Sequence, residues 1–499
     1  MILGLRAVAV EISVVRMATK KKRRGRAQSD PETEKVIAEM VAALQREREK
    51  RIGPNSTFEQ RRDADLGILQ KVLWDAEEED FEKSTTDAEE IEVGGKKFRR
   101  LSQASSATYF GRFGAHEVEE ALYREVGVHN GPTIKPVELK VGIIEHMTPD
   151  MARVTGALNA ELSSRALERV LRTVGHVPPS RAFLAERMTQ MGTQIADAAA
   201  AFEEVARAVE PMPEGIASVS CGLDRMSVRM SEGVVGEAAP PATRTEPYER
   251  AVPPTKEHHY RKAWVGSTSV YDAKGTELAT WRVAVEAEAD PAKLAERVVA
   301  DVARILKANP SAPVHCVQDA APELRALPEA FARKLPVGGK PIVELVDFEH
   351  LMGYLDEVVD ACEPAGDPYN MKSWYRSELL RDDGAIDRIF RNLREKAKKL
   401  DGHKADARNA VSAALRYIRK RKEKMRYAQF YKANLPIGSG ATESTCWQMQ
   451  QRVKKPAQSW EPEGLRGVLA MRGLCLSDRW DAAWQPFAAQ HRAEITVLA

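Results

Sequence analysis

LPIGSGATESTCWQMQQRVKK, residues 435–455, is the stretch around which the rest of the chain is organised. Pro436 sets the approach, Gly438 and Gly440 bracket Ser439 in a turn expected to need permissive backbone angles, and Glu443 falls in the first turn of a helix. A carboxylate there meets free N–H groups and the positive end of the helix dipole. That setting suits an ionised metal ligand and can also cradle a phosphate. Taken alone, the same text is equally an ordinary glycine turn followed by an acid.

Two further acids stand far upstream, Asp224 in ASVSCGLDRMSVRM and Asp319 in APVHCVQDAAPEL. Each sits in or ends an apolar run of the kind that builds a buried strand, which would present the carboxylate at a sheet. Acids so placed are costly unless something cationic joins them. Oxygen donors in small number suit Mg²⁺ or Mn²⁺ bound together with substrate phosphate. No local motif can bring residues this distant together, so the fold has to assemble the site.

The order Asp224, Asp319, Glu443 resembles that of the DDE transposases, whose catalytic core is ribonuclease-H-like. PIGSG followed by a Glu, a helix and GLCLSDRWDAAW is similar to the ISKra-type insertion-sequence transposases of bacteria. VDFEHLMGYL, residues 346–355, is similar to that family's Asp-Phe-x-His segment. The likeness runs from Tyr109 to the C-terminus and is most specific after Val314. It implies an α/β, ribonuclease-H-like mixed sheet in which Asp224, Asp319 and Glu443 hold two Mg²⁺ (or Mn²⁺) ions. The activity implied is cleavage of transposon ends and transfer of the freed 3′ hydroxyl into target DNA; the residues alone imply only phosphodiester chemistry. Double-stranded DNA is then the partner, a homo-oligomer (a dimer) the expected assembly, and the bacterial cytoplasm, with the nucleoid, the expected location. Asp347 and His350 are candidates to support the ligands, and Asp347 is the rival if one acid is misassigned. A nuclease or resolvase of the same fold without strand transfer, and a DNA-binding protein derived from a transposase, are the other classes.

Composition limits these readings. The 499 residues include 75 basic and 73 acidic ones, a net charge of only +2, so a DNA-binding role has to rest on local charge. Five cysteines, none in a CxxC pair, make neither a disulfide framework nor a zinc ribbon. No apolar run reaches the length of a membrane span, and the opening MILGLRAVAVEISVVRM lacks the order of a signal peptide. A start at Met17 would remove it.

In chain order the text divides into a basic disordered arm (1–32, with KKKRRGR), an N-terminal helical region (33–90) and a small β region (91–145). A helix-turn-helix-like DNA-binding region (146–210) follows. The catalytic core is expected over 211–350 and 435–499, split by an all-α insertion (351–434). IEVGGKKFRRL reads as a hairpin turning at Gly94 and Gly95. Thr148, Ser163 and Ser180 read as helix caps. The Ser180 helix offers Arg181, Arg187 and Gln190 to DNA, though a plain helical hairpin fits the same text. EAAPPATRTEPYERAVPPTKEHHY reads as a surface loop between the first two core strands. In the insertion, Arg419, Lys420, Lys422 and Lys424 suggest phosphate contacts, against the alternative of a solvated helix face. Ser439, Arg452 and Lys454 extend that surface around Glu443.

Overall fold

The computed structural model describes residues 31–53, 55–235, 255–286, 289–319, 321–334, 342–400, 405–456 and 458–498. The basic arm and most of the proline-rich loop after Val235 lie outside them. The fold is mixed α/β with two five-stranded sheets, and the chain divides after Glu77. Among the described residues no helix is long and apolar enough to cross a membrane.

The smaller unit holds α1 (Pro31–Arg51) and most of α2 (Phe58–Ser84). Thr57 and Gln60 form a reciprocal capping box, Gln60 N–H to Thr57 Oγ1 at 3.2 Å and Thr57 N–H to Gln60 Oε1 at 2.8 Å. Arg48 bridges to the buried Asp65 at 3.2 Å. Several large apolar residues of these two helices are exposed, including Met40, Leu66, Leu69 and Val72.

In the larger unit, β1 (Glu90–Val93), β2 (Lys96–Phe110), β3 (Ala115–Glu125) and β4 (Thr133–Ile134) form an antiparallel sheet. Gly94 and Gly95 turn the first hairpin with φ of 57° and 77°, the left-handed pair that a two-residue turn of this hand demands. The fifth strand comes from the other end of the chain. β10 (Ile495–Leu498) pairs antiparallel with β1, so the last residues of the segment expected wholly within the catalytic core instead cover an edge of the first sheet.

α3 (Pro149–Glu161), α4 (Ser164–Thr173), α5 (Arg181–Asp197) and α6 (Ala199–Val209) follow. Ser163 and Ser180 cap α4 and α5 by accepting from Ala166 and Phe183 N–H, whereas the Thr148 hydroxyl bonds Asp150 at 2.7 Å. These helices share one apolar cluster with Met449, Leu465, Leu469 and Met471, so they are built into the body of the unit.

The second sheet has the order β7-β6-β5-β8-β9. β5 (Ser218–Val235), β6 (Thr255–Tyr271) and β7 (Glu277–Val285) form an antiparallel meander, α7 (Pro291–Ala308) crosses over, and β8 (Val314–Gln318) and β9 (Val343–Val346) add in parallel. All five residues of β8, VHCVQ, are buried, as expected for a parallel strand covered on both faces. β6 starts at Thr255, inside text expected to be loop, because its pairing with β5 continues to Val235↔Thr255. β9 stops short of Asp347, which caps the next helix.

Past a short helix α8 (Ala326–Lys334) and β9, the described residues of the insertion form the α-helices α9 (Phe348–Cys362), α10 (Met371–Arg381), α11 (Ala385–Lys399), α12 (Ala405–Arg421) and α13 (Tyr427–Lys432). Their shared core includes Val317, Leu345 and Val346, which seats the insertion on the parallel edge of the sheet. α14 (Gly440–Val453), α15 (Pro462–Leu476) and α16 (Trp480–Ala489) complete the unit.

Candidate functional site

The parallel strands decide where the acids fall. β5 and β8 pair as Val219↔Val314, Ser220↔His315 and Cys221↔Cys316, and β8 and β9 as His315↔Val343 through Gln318↔Val346. Carried forward past the paired residues, these registers set Asp224, inside β5, level with Asp319 and Asp347, which directly follow the carboxyl ends of β8 and β9. Such ends are where open α/β sheets bind ligands. The backbone ladder between β5 and β8 stops at Cys221↔Cys316. Beyond it the Gln318 amide takes over, accepting from Leu223 N–H at 3.3 Å and donating to Leu324 O at 2.9 Å.

Alternation selects the face. Cys221, Leu223 and Cys316 point into the cluster formed with α7, which turns Gly222, Asp224 and Asp319 to the opposite side. α14 lies on that side. A Cβ on Gly222 would come 2.7 Å from Thr442 Oγ1 and 2.5 Å from Val317 O, so the helix approaches where β5 has no side chain. One turn later Cys446 Sγ donates to Asp224 Oδ2 at 3.1 Å. Two strand residues advance about 6.6 Å and the four helical residues from Thr442 to Cys446 about 6 Å, so α14 keeps in step with β5. Ser267 of β6 adds a 2.7 Å hydroxyl contact to Thr442.

Each acid is held by its own neighbour. Asp224 is half-buried, with Oδ1 accepting from Arg225 N–H at 2.7 Å. Burial and the Asp224 charge push the Cys446 thiol well up, so it remains a donor. Asp319, just past the end of β8, lies 3.3 Å from His350 Nε2. Glu443 is exposed and accepts from Ser439 Oγ at 3.0 Å. Among the described residues, no three His, Cys, Asp or Glu side chains form a ready metal-binding group. The strand register and α14 set the three acids on adjoining elements, while each carboxylate is turned to a separate partner.

Asp347 is buried and works as a pin. Its Oδ1 accepts from His350 N–H at 2.6 Å, capping α9, and its Oδ2 accepts from Ser439 N–H at 2.5 Å. Phe348 N–H also donates to Ile437 O at 3.2 Å, so the end of β9 holds the turn that launches Glu443. The glycines of that turn do not act as expected. Neither Gly438 nor Gly440 has a positive φ, and Ser439 has φ of −81°; the left-handed residue is Asn434, at 54°.

The insertion supplies an aromatic wall. His350 lies 5.6 Å from the Tyr354 ring and 5.5 Å from the Tyr417 ring, and the two tyrosines stack at 4.4 Å. Burial first, and then the Asp319 charge, raise the Tyr417 phenol, whose buried hydroxyl has no hydrogen-bond partner among the described residues. Cys446, Gln318 and Tyr417 were not singled out from the sequence. Cys446 had a legible signal, standing three residues after Glu443 on one helix; the other two depend on contacts between distant elements.

The DNA-facing candidates separate into free and engaged groups. Arg181, Arg419, Lys420 and Lys454 are exposed. Arg187 is drawn inward, 3.5 Å from Glu145 and 2.8 Å from Gln190 Oε1. Lys422 pairs with Asp387 at 3.1 Å and Lys424 with Glu344 at 2.5 Å. Arg452, expected on the DNA-facing surface, is buried: it donates to Asn159 O at 3.0 Å and lies 4.9 Å from the Trp460 ring centroid, and burial lowers its pKa to about 10. Its polar and basic surroundings in sequence, Gln450, Gln451 and Lys454, gave no warning of this. No family model matches the chain, and no curated protein matches it.

Proposed function

We propose that this chain is a metal-dependent enzyme that cleaves phosphodiester bonds on a ribonuclease-H-like sheet. More narrowly, we read it as a DDE transposase of the ISKra type. The observation that carries this reading is that Asp224 and Asp319, three residues beyond the last β5–β8 pair Cys221↔Cys316, fall on the side of the sheet under α14, with Glu443 in the first turn of that helix. An antiparallel meander, a crossover helix and two parallel strands in the order β7-β6-β5-β8-β9 support the choice of core.

The donor set fits hard divalent cations, since all three groups are carboxylates with solvent access. Two Mg²⁺ or Mn²⁺ ions bound there would offset the charge of the phosphodiester and activate the attacking oxygen. Asp224 and Asp319 form one flank of the site and Glu443 the other. Cys446 and His350 orient the two aspartates, and Asp347 positions the Glu443 turn through Ser439. Arg419, Lys420 and Lys454 are free to meet phosphates. The substrate is double-stranded DNA, as element ends and as target, handled by a dimer.

The test is a plasmid carrying the genomic sequences that flank this reading frame, incubated with Mg²⁺ and a second target plasmid. Asp319→Asn should lower cleavage by at least about 10²–10³-fold, the scale for losing one group that stabilises transition-state charge, while binding persists. Near-normal cleavage by that variant overturns the site. Joined products in the target plasmid distinguish a transposase from a nuclease.

A further inference from the structure

α14 has two unlike faces. One buries Thr442, Thr445, Cys446, Met449 and Val453. The other exposes Glu443, Trp447 and Gln451, and Lys454 follows at the C-cap; spaced four, four and three residues apart, they make a single ridge. Trp447 is 61% exposed and belongs to none of the apolar clusters, although its helix neighbours Cys446 and Met449 belong to one. An indole left in water forgoes the burial that its size normally secures.

The flanking groups narrow the occupant. A protein-docking patch needs contiguous apolar surface, and here one flat ring stands between a carboxylate, an amide and an ammonium. A polymer offering a π-face and then a phosphate matches that series. Trp447 is about 6 Å and Lys454 about 16 Å along the helix axis from Glu443, so the ridge leads away from the three acids at the scale of successive nucleotides. A base paired within a duplex has both faces covered by its neighbours in the stack; an unpaired one does not.

We propose that Trp447 stacks on an unpaired nucleobase of the strand whose phosphodiester lies at Asp224, Asp319 and Glu443, with Lys454 on a phosphate further along that strand. This rests on the reading of the site given above and adds the form of its substrate: DNA with a locally unpaired strand. Trp447 is solvent-facing, so its replacement leaves the core intact.

The test uses the full chain in EDTA, which separates binding from cleavage. The probes are a blunt duplex and the same duplex with a short single-stranded tail carrying 2-aminopurine. Trp447→Ala should weaken binding of the tailed probe by about 5- to 150-fold, the scale of one base–aromatic stack, and abolish the quenching of 2-aminopurine. Trp447→Phe should retain both, and binding of the blunt probe should not change. Unchanged affinity and quenching in Trp447→Ala overturn the proposal, as does an equal loss on both probes. A chain that cleaves DNA but fails this test refutes the stacking alone; one that shows Trp447-dependent quenching but no cleavage refutes the catalytic reading alone.

Discussion

The two sheets treat their acids in opposite ways. In the first, Glu120 is buried; its Oε1 takes the Tyr109 hydroxyl at 2.8 Å and its Oε2 takes Val137 N–H at 3.0 Å, while Glu138 lies 2.9 Å from the same hydroxyl. Burial raises the Glu120 carboxyl, and protein donors satisfy what remains of it. In the second sheet, Asp224, inside β5, and Asp319, just past the end of β8, have solvent access and few donors each. A carboxylate enclosed and satisfied by its own fold contributes to stability. One presented to solvent with lone pairs to spare is available to a cation or a substrate.

Substitutions on the two sides should therefore fail differently. The largest effect is expected from Asp224→Asn, a loss of about 10²–10³ in plasmid cleavage with the melting temperature nearly unchanged. Its counterpart Glu120→Ala should cost about 1–3 kcal/mol of stability by stranding buried donors, and should leave cleavage by the folded fraction intact. Parallel melting curves and cleavage assays read both, and lost cleavage at normal stability in Glu120→Ala would break the contrast.

Asp347 sharpens it, being a buried acid directly after the last strand of the second sheet with the structural role seen in the first. Asp347→Ala removes the acceptor of both His350 and Ser439 N–H. A destabilisation of roughly 2–3 kcal/mol is expected, together with a 10- to 100-fold fall in cleavage as the Glu443 turn loosens. Urea titration should show the first effect. Cleavage measured well below the melting temperature should show the second, and full activity there would make Asp347 purely a stability residue.

A smaller effect concerns His315 in β8, buried against Phe430 with ring centroids 4.8 Å apart. Burial pushes its pKa down from 6.5 to about 4. Folding thus favours the neutral ring. The stability this contributes is fully present above the unfolded value of 6.5 and is lost as pH falls towards 4. At pH 4.5 the loss should be about 2 kcal/mol relative to pH 7. His315→Leu should flatten that part of the acid limb, as read from urea midpoints of variant and parent at both pH values. Identical pH dependence would show that His315 titrates normally.

Features set by a few neighbouring residues are legible in the sequence itself. Gly94 and Gly95 turn a hairpin, Ser163 and Ser180 cap helices, and the largely apolar text around β8 marks a buried strand, because these effects act across one turn or one strand. The three acids could be nominated in the same way, as carboxylates at the ends of apolar runs or in a first helical turn. Their relation could not. The row of Asp224, Asp319 and Asp347 follows from the register of strands far apart in sequence, and the seat of α14 from the missing side chain at Gly222. Tertiary contacts also turned Arg452 inward, tied Lys422 and Lys424 to acids on other elements, and brought β10 to β1. A charged side chain or a strand edge reads alike in sequence whether water or another part of the chain meets it; only the folded neighbours decide which.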